Sequence, residues 1–272
     1  MIYDVIIIGA GPSGATAAIY LKRTGLNVLV FYKDKGSLEF AKLKNFYGFT
    51  SVSGDILFDT GLSQLKELGV EVIKDEILSC TTDYMSKVSV STSSETYEAK
   101  SLVIATGISR NKVKKEVQKY LGIGVSTCAF CDGPFYRGKT IYVTGTEPYL
   151  SHLKEELKFF SKDLVDINYD DIKELDGESR LQGITLKDGT HLDINNLFLA
   201  VPFGSKTLSD NLGVMLDENQ NIIVDTNGRT NIKMVYACGD VTPGVKQVVR
   251  ASKDGMAVAL SIIDDFKKNK NI

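Results

Sequence analysis

Two cysteines separated by two residues, Cys128 and Cys131, are followed directly by an acidic residue, Asp132. A Cys-x-x-Cys pair can exchange two electrons by alternating between dithiol and disulfide. A carboxylate beside the pair can supply and remove the protons that this exchange requires. The alternative, half of a zinc site, needs two more ligands, and the histidines of the sequence, His152 and His191, fall in no ligand spacing. We therefore expect a redox-active pair and no metal.

A glycine-rich turn near the start of the chain carries a second chemical signature. Residues 4–8 (DVIII) predict a strand of a parallel sheet, and a helix is predicted from residue 15. The turn between them contains Gly9, Gly11, Pro12, Ser13 and Gly14. Gly9 permits a tight turn, Gly11 lets the backbone approach a pyrophosphate, and Gly14 allows close packing of the helix. The N-terminus of that helix then faces the negative charge, so the turn predicts a dinucleotide site.

Composition sets the wider limits. The chain has 272 residues, which allows one large or two modest domains. Hydrophobic residues make up 43% and charged residues 24%, and the net charge of -2 gives no indication of nucleic acid or a membrane surface. No secretory signal or membrane-spanning stretch is evident, and four cysteines with one close pair do not resemble a secreted disulfide framework. We expect a cytoplasmic protein, in which a Cys-x-x-Cys pair is reactive rather than structural.

The elements that must position these residues follow an α/β pattern. The strand–turn–helix at residue 4 has an internal echo at residue 140, with a strand over 140–144, Gly145, and a helix over 148–160. Further predicted strands and helices lie at residues 27–32, 58–68, 70–82, 87–92, 101–106, 163–167, 234–237 and 247–266. The pattern predicts two Rossmann-like (three-layer ββα) domains of the dinucleotide-binding type.

The motifs together resemble those of the low-molecular-weight thioredoxin reductases. The segments that carry the resemblance are residues 9–14, Lys44-Asn45-Phe46, Ala105-Thr106-Gly107, residues 124–133 (GVSTCAFCDG), and Gly239-Asp240-Val241 with Lys246-Gln247. They cover nearly the whole chain in the right order, and the cysteine segment is specific to that family.

The resemblance implies an FAD-binding domain of residues 1–111 and 202–272, into which a reduced redox domain of residues 112–201 is inserted. It implies that Cys128 attacks a thioredoxin-like disulfide, that Cys131 faces the flavin, and that Asp132 is the acid/base. It also implies a homodimer and a swing of the inserted domain. The residues expected to bind FAD are Gly9, Gly11, Pro12, Ser13, Gly14, Asn45, Ala105, Thr106, Gly107, Gly239, Asp240, Lys246, Gln247 and Val248.

The inserted domain departs from the family at its own nucleotide turn. Only Gly145 of the G-x-G-x-x-G/A pattern is kept, because Glu147 and Leu150 take the second and third positions. A carboxylate at the second position repels a pyrophosphate by roughly 1 kcal/mol or more even when hydrated. The family's basic run that holds a 2′-phosphate is replaced by Asn168-Tyr169-Asp170. NADPH is therefore not expected as the electron donor.

A flavin without a pyridine nucleotide needs another reductant, and the resemblance then moves to the ferredoxin-dependent flavin thioredoxin reductases. Ferredoxins are acidic, and a basic run that could meet one comprises Arg110, Lys112, Lys114, Lys115 and Lys119, although such a run is also typical of a solvated surface. Four alternatives stay open: NADH, a deazaflavin or a second flavin as the donor, and a flavin-binding redox sensor without turnover.

Two further expectations concern individual tyrosines and cysteines. Tyr149 and Tyr169 flank the altered nucleotide turn and could stack on a different planar ligand. Cys80 and Cys238 are expected to be small packing residues.

Overall fold

The computed structural model describes residues 2–83, 87–107, 113–127, 129–147, 149–200 and 212–270. The chain divides into two compact units. The first comprises Met1–Glu39, Ser53–Ser109 and Gly204–Ile272, and the second comprises Phe40–Val52 and Arg110–Phe203. Both predicted domain boundaries, after residues 111 and 201, fall at residues outside the described part. The assignment of the two units as cofactor and redox domains stays a prediction.

The chain combines helices with strands, and some strands follow one another directly. In order they are β1 (Ile2–Ile8), α1 (Pro12–Arg23), β2 (Val28–Tyr32), β3 (Lys42–Leu43), β4 (Val52–Ser53), α2 (Gly54–Glu67), β5 (Glu71–Lys74), β6 (Ser79–Thr82), β7 (Val88–Ser91), β8 (Thr96–Ile104), α3 (Lys115–Gln118), β9 (Val125–Ser126), α4 (Ala129–Asp132), β10 (Ile141–Gly145), α5 (Tyr149–Leu157), β11 (Leu164–Asn168), β12 (Ile172–Asp176), β13 (Gly183–Leu186), β14 (His191–Asp193), β15 (Leu197–Ala200), β16 (Val235–Ala237) and α6 (Val248–Lys270).

The first unit is built on one sheet with the strand order β5-β2-β1-β8-β7-β6, and β16 also pairs with β8. The strands β5, β2, β1, β8 and β16 are parallel, whereas β6, β7 and β8 form an antiparallel meander. The strand β1 is buried over most of its length, as its apolar run predicts. One prediction was wrong: residues 70–82 form two strands, β5 and β6, at opposite ends of the sheet order. The acidic residues Asp75 and Glu76 interrupt the run between them.

Two helices of the first unit pack directly on each other, namely α1 and α6. The alanine-rich α1 buries small side chains, and a Cβ added at Gly255 of α6 would come within 2.0 Å of the Ser13 carbonyl oxygen. The close approach explains why a glycine stands inside the long α6. The helix α2 begins four residues before its predicted start, because Ser53 caps its N-terminus: Ser53 Oγ accepts a hydrogen bond from the Ile56 N–H at 3.2 Å.

The second unit contains a smaller parallel sheet with the order β11-β10-β15-β9, in which α5 connects β10 to β11. A separate antiparallel sheet has the order β12-β13-β14. The short strands β3 and β4 pair with each other. The α/β class with Rossmann-like sheets is thereby confirmed. Among the helices described, none combines the length and apolar character needed to cross a membrane.

Replacing the capping Ser53 by alanine should lower the free energy of unfolding by about 1 kcal/mol, because an N–H of the first turn of α2 loses its acceptor. Urea denaturation followed by circular dichroism measures this loss. Ser63→Ala is the matched control on the same helix, since the Ser63 hydroxyl only donates to the Asp59 carbonyl one turn back. An equal loss in both variants would show that the cap contributes nothing specific.

Candidate functional site

Three of the predicted cofactor-binding segments lie side by side at one edge of the first sheet. They follow β1, β8 and β16, whose registers pair Ile8 with Ile104 and Ile104 with Ala237. The strand ends are joined by hydrogen bonds from Ala105 N to the Ile8 carbonyl (2.8 Å) and from Cys238 N to the Ile104 carbonyl (3.1 Å). This edge is the carboxyl edge of parallel strands, which is where open α/β sheets bind ligands.

The first glycine turn leaves room for a ligand. Gly9 has φ +115°, and a Cβ there would lie 2.1 Å from the Ala105 carbonyl oxygen, so only glycine fits this backbone crossing. By contrast, a Cβ added at Gly11 would meet no described atom within 4 Å. The helix α1 starts with Pro12 and has no side-chain cap within the described residues. Its first N–H groups are therefore suited to an anion such as a pyrophosphate.

An unpaired carboxylate oxygen lies at the same edge. Asp240 belongs to a 3-10 turn over Gly239–Val241, and its Oδ1 is buried without a hydrogen-bond partner in the part described. The hydroxyl of Thr106 is in the same state. Burial raises the pKa of Asp240 to about 6, against the opposing effects of Lys246 and Arg250. Buried polar atoms are nearly always paired, so these two fit a ligand that carries hydroxyl groups, as a flavin dinucleotide does.

The side chain of Lys246 holds the loop after β16. Its Nζ donates to the carbonyl oxygens of Asp240 (2.8 Å) and Thr242 (2.7 Å) and to Asn221 Oδ1 (3.1 Å). Burial lowers the pKa of this ammonium group to about 8. The neighbouring Gln247 and Val248 are half-buried where α6 begins. The contact of Lys246 with a cofactor stays a prediction, whereas the structure shows that Lys246 anchors the loop that carries Asp240.

The predicted redox segment belongs to the second unit. Cys128 lies outside the described residues, and the backbone of Cys131 lies in the short helix α4. Asp132 is half-buried, and its Oδ2 accepts a hydrogen bond from Ser126 Oγ at 2.6 Å. The motif contained Ser126, but sequence reasoning gave it no role. A polar side chain on a buried strand two residues before the first cysteine was the available signal.

The remaining predicted contact, Asn45, also lies in the second unit, where it is exposed between β3 and β4. The cysteines outside the motif, Cys80 and Cys238, are free and buried, which confirms that they are packing residues. Burial raises the pKa of both thiols to about 12.

The turn after β10 differs physically from the turn after β1. Gly145 has φ +152°, and a Cβ there would lie 1.8 Å from the Ala200 carbonyl oxygen, so this glycine is required by backbone packing alone. The carboxylate of Glu147 accepts a hydrogen bond from the Ser151 N–H at 3.3 Å, in the first turn of α5. An acidic side chain of the chain itself therefore caps the helix end at which a nucleotide pyrophosphate would bind.

The segment after β11 is acidic and forms a hydrogen bond within itself. Asn168 Oδ1 accepts a hydrogen bond from the Asp170 N–H at 3.0 Å, and the side chains of Asp170 and Asp171 are exposed. Tyr169 is only 8% exposed within a hydrophobic cluster, which leaves its ring little surface for stacking on a planar ligand. Its hydroxyl accepts a hydrogen bond from Lys114 N at 2.9 Å. The side chain of Tyr149, the other residue expected to stack, lies outside the described part.

The basic run over residues 110–119 overlaps α3, and one of its described lysines is bonded within the chain. Lys114 Nζ donates to the Tyr169 carbonyl at 2.7 Å and lies over the Tyr169 ring. Lys115 and Lys119 are exposed, whereas Arg110 and Lys112 lie outside the described residues. Among the residues that are described, no group of three or more His, Cys, Asp or Glu side chains could hold a metal ion.

Comparison with known proteins identifies the class. Residues 3–146 and 155–255 match the model of the pyridine nucleotide-disulphide oxidoreductase family, and the chain belongs to that family. It is a thioredoxin reductase-like flavin disulfide oxidoreductase.

Three individual relatives place the chain more closely. Thioredoxin reductase from Listeria innocua is 31% identical, over 93% of this chain and 91% of that protein. The structure of thioredoxin reductase from Streptococcus pyogenes has a TM-score of 0.85 at 25% identity, covering 98% of this chain and 99% of the other. The structure of a ferredoxin-flavin thioredoxin reductase from Clostridium acetobutylicum has a TM-score of 0.60 at 26% identity and covers 100% of both chains.

Replacing Asp240 by asparagine should stabilise the flavin-free protein near neutral pH. Because burial raises the pKa from 3.8 to about 6, ionisation of Asp240 opposes folding. That cost is absent below pH 4 and complete above pH 6, and it amounts to at most about 3 kcal/mol. Urea denaturation of the flavin-free protein should therefore show a gain at pH 7.5 that shrinks as the pH falls from 6 towards 4. Asp264→Asn, at an exposed position on α6, is the control, and a pH-independent gain in Asp240→Asn would contradict the assignment.

Proposed function

We propose that the chain is an FAD-dependent reductase of a thioredoxin-like protein, working through Cys128 and Cys131 with electrons from ferredoxin rather than NADPH. In this proposal the first unit binds FAD and the second carries the dithiol. The resemblance further implies a cytoplasmic homodimer. The family membership and the thioredoxin reductase relatives support the disulfide chemistry.

The observation that carries the choice of donor is the hydrogen bond between Glu147 and the Ser151 N–H. The two helix N-termini that follow the two glycine turns differ in whether a side chain already accepts hydrogen bonds from their N–H groups. The helix α1 has no side-chain cap among the described residues, whereas α5 already has an anionic acceptor. A dinucleotide at α5 would have to displace that carboxylate and would face its charge at close range.

The acidic segment after β11 also argues against NADPH as the donor. A 2′-phosphate requires cationic donors, and this segment offers the carboxylates of Asp170 and Asp171. The nearby ammonium group of Lys114 bonds to main-chain carbonyls instead. NADPH would therefore meet negative charge at both of its phosphate positions.

The cysteines and Asp132 would carry out thiol–disulfide exchange. The Cys128 thiolate attacks one sulfur of the partner disulfide, whose other sulfur leaves as a thiolate and takes up a proton. The Cys131 thiolate then attacks Cys128 Sγ, which releases the second partner thiol and leaves a Cys128–Cys131 disulfide. Asp132, held by Ser126, supplies and removes the protons. A bound, reduced flavin would supply the electron pair that returns the disulfide to the dithiol, and ferredoxin would have to deliver two electrons in succession to reduce that flavin.

A one-electron protein donor fits this arrangement, since it needs no nucleotide pocket. The similarity to the ferredoxin-flavin thioredoxin reductase from Clostridium acetobutylicum over the full length of both chains supports this choice. Similarity to ordinary thioredoxin reductases is equally clear, so the donor preference depends on the residues around α5 and β11.

Anaerobic bleaching of the flavin absorbance tests the donor. Photochemically reduced ferredoxin should bleach the flavin rapidly and allow reduction of added thioredoxin, whereas NADPH and NADH should not bleach it. An NADPH-dependent thioredoxin reductase serves as the positive control for the nucleotides. Rapid bleaching by NADPH would refute the donor assignment. Failure of all three donors would refute it too and favour a deazaflavin donor or a redox sensor.

Trapping of a mixed disulfide tests the roles of the cysteines. Cys131→Ser should accumulate a covalent complex with thioredoxin through Cys128, because the thiol that resolves the complex is missing. The matched variant Cys128→Ser should accumulate none. Non-reducing electrophoresis with mass spectrometry of the linked peptides measures both, and the reverse pattern would exchange the two roles.

A further inference from the structure

Four charged side chains lie within one stretch of the first unit, from the turn after β16 to the second turn of α6. This α6 charge cluster comprises Asp240, Lys246, Arg250 and Asp254. Arg250 Nε is 2.7 Å from Asp254 Oδ2, and the Asp254 side chain is only 13% exposed. The pair is therefore largely shielded from water, where charge interactions are stronger than at a surface.

The guanidinium group of Arg250 also binds the loop of residues 239–244. Its Nη2 donates to the Pro243 carbonyl (2.6 Å) and to Thr242 Oγ1 (2.7 Å), and its Nη1 donates to the Gly239 carbonyl (3.3 Å). A planar guanidinium group is suited to several fixed acceptors at once. Arg250 thus ties both ends of the loop that carries Asp240 to the first turn of α6.

The position of this arginine is electrostatically costly for the helix itself. Arg250 is the third residue of α6, and a cation in the first turn opposes the helix dipole. The helix dipole disfavours a positive charge there; the charge instead interacts with Asp254 one turn later, with the loop and with Asp240. Placement against the local preference indicates that the charge is needed at the site.

Asp240 is surrounded by a defined set of charges. Lys246 and Arg250 favour its ionised form, while Asp254 opposes it. The thiol of Cys238, two residues earlier, is neutral because burial raises its pKa to about 12. The balance among these groups controls whether Oδ1, which has no partner among the described residues, is offered as a carboxylate oxygen.

We propose that Arg250 is a positioning residue of the flavin site, which fixes the 239–244 loop and keeps the Asp240 carboxylate ionised to accept hydrogen bonds from the flavin's hydroxyl chain. The Asp254 carboxylate is the anion of the ion pair with Arg250 and offsets part of its positive charge. This inference rests on the proposed function only in its assignment of FAD to the first unit, and it is independent of the electron donor.

Binding of FAD to the flavin-free full-length protein tests the proposal, with quenching of FAD fluorescence as the readout between pH 5 and 8. In the wild type, affinity should fall as the pH drops through about 6, where Asp240 takes up a proton. Arg250→Gln should weaken binding roughly tenfold at pH 7.5 and move this midpoint to higher pH, because a cation near Asp240 is lost. Asp254→Asn should move the midpoint to lower pH, because an anion is lost.

The control variant is Arg229→Gln. It breaks another arginine–aspartate pair, in which Arg229 precedes β16 and Asp265 lies near the far end of α6. It should leave the midpoint unchanged. If the wild-type protein does not bind FAD, the proposed function itself fails. If the wild type binds but Arg250→Gln and Asp254→Asn move the midpoint in the same direction, or not at all, only the role of Arg250 is refuted. Should Arg250→Gln fail to fold, Arg250→Lys decides, because lysine keeps the charge but not the planar set of donors. Weaker FAD binding with the midpoint unchanged supports the positioning role, and wild-type affinity refutes it.

Discussion

The candidate cofactor site depends on one packing constraint, the crossing of the backbone at Gly9 over the end of β8. The Ala105 carbonyl oxygen lies where a Cβ of residue 9 would be, so the turn can close only on a glycine. That closure starts α1 directly after β1 and leaves its first N–H groups without a side-chain acceptor in the described structure. The anion site is thus a consequence of how tightly two strand ends approach each other.

The same crossing recurs after β10, but with the opposite electrostatic result. Gly145 is retained because the Ala200 carbonyl oxygen lies against it, a demand of the sheet that exists with or without a ligand. The position two residues later is free of that demand, and it carries Glu147. Packing and ligand binding are therefore separable requirements of a glycine-rich turn, and Gly145 meets the packing requirement.

Charged residues also shape the candidate cofactor site of the first unit. Burial disfavours the ionised form of Asp240. Lys246 and Arg250 offset part of this effect, whereas Asp254 adds to it. Lys246 and Arg250 donate most of their hydrogen bonds to carbonyl oxygens of the 239–244 loop. They therefore fix the backbone of this loop and also contribute positive charge near Asp240. Residues can in this way influence a candidate cofactor site through the backbone and the local charge as well as by direct contact.

The sequence alone determined the α/β class, the first glycine turn and the loss of the second, because each depends on local residue types and spacing. Tertiary structure decided what depends on distant partners. The division of residues 70–82 into two strands follows from pairing with β2 on one side and β7 on the other. Tyr169 is buried in a hydrophobic cluster, and its hydroxyl accepts a hydrogen bond from Lys114, which is distant in sequence. Ser126 and Arg250 acquire their roles only when folding brings Asp132 and the 239–244 loop within hydrogen-bond distance, which no spacing rule encodes.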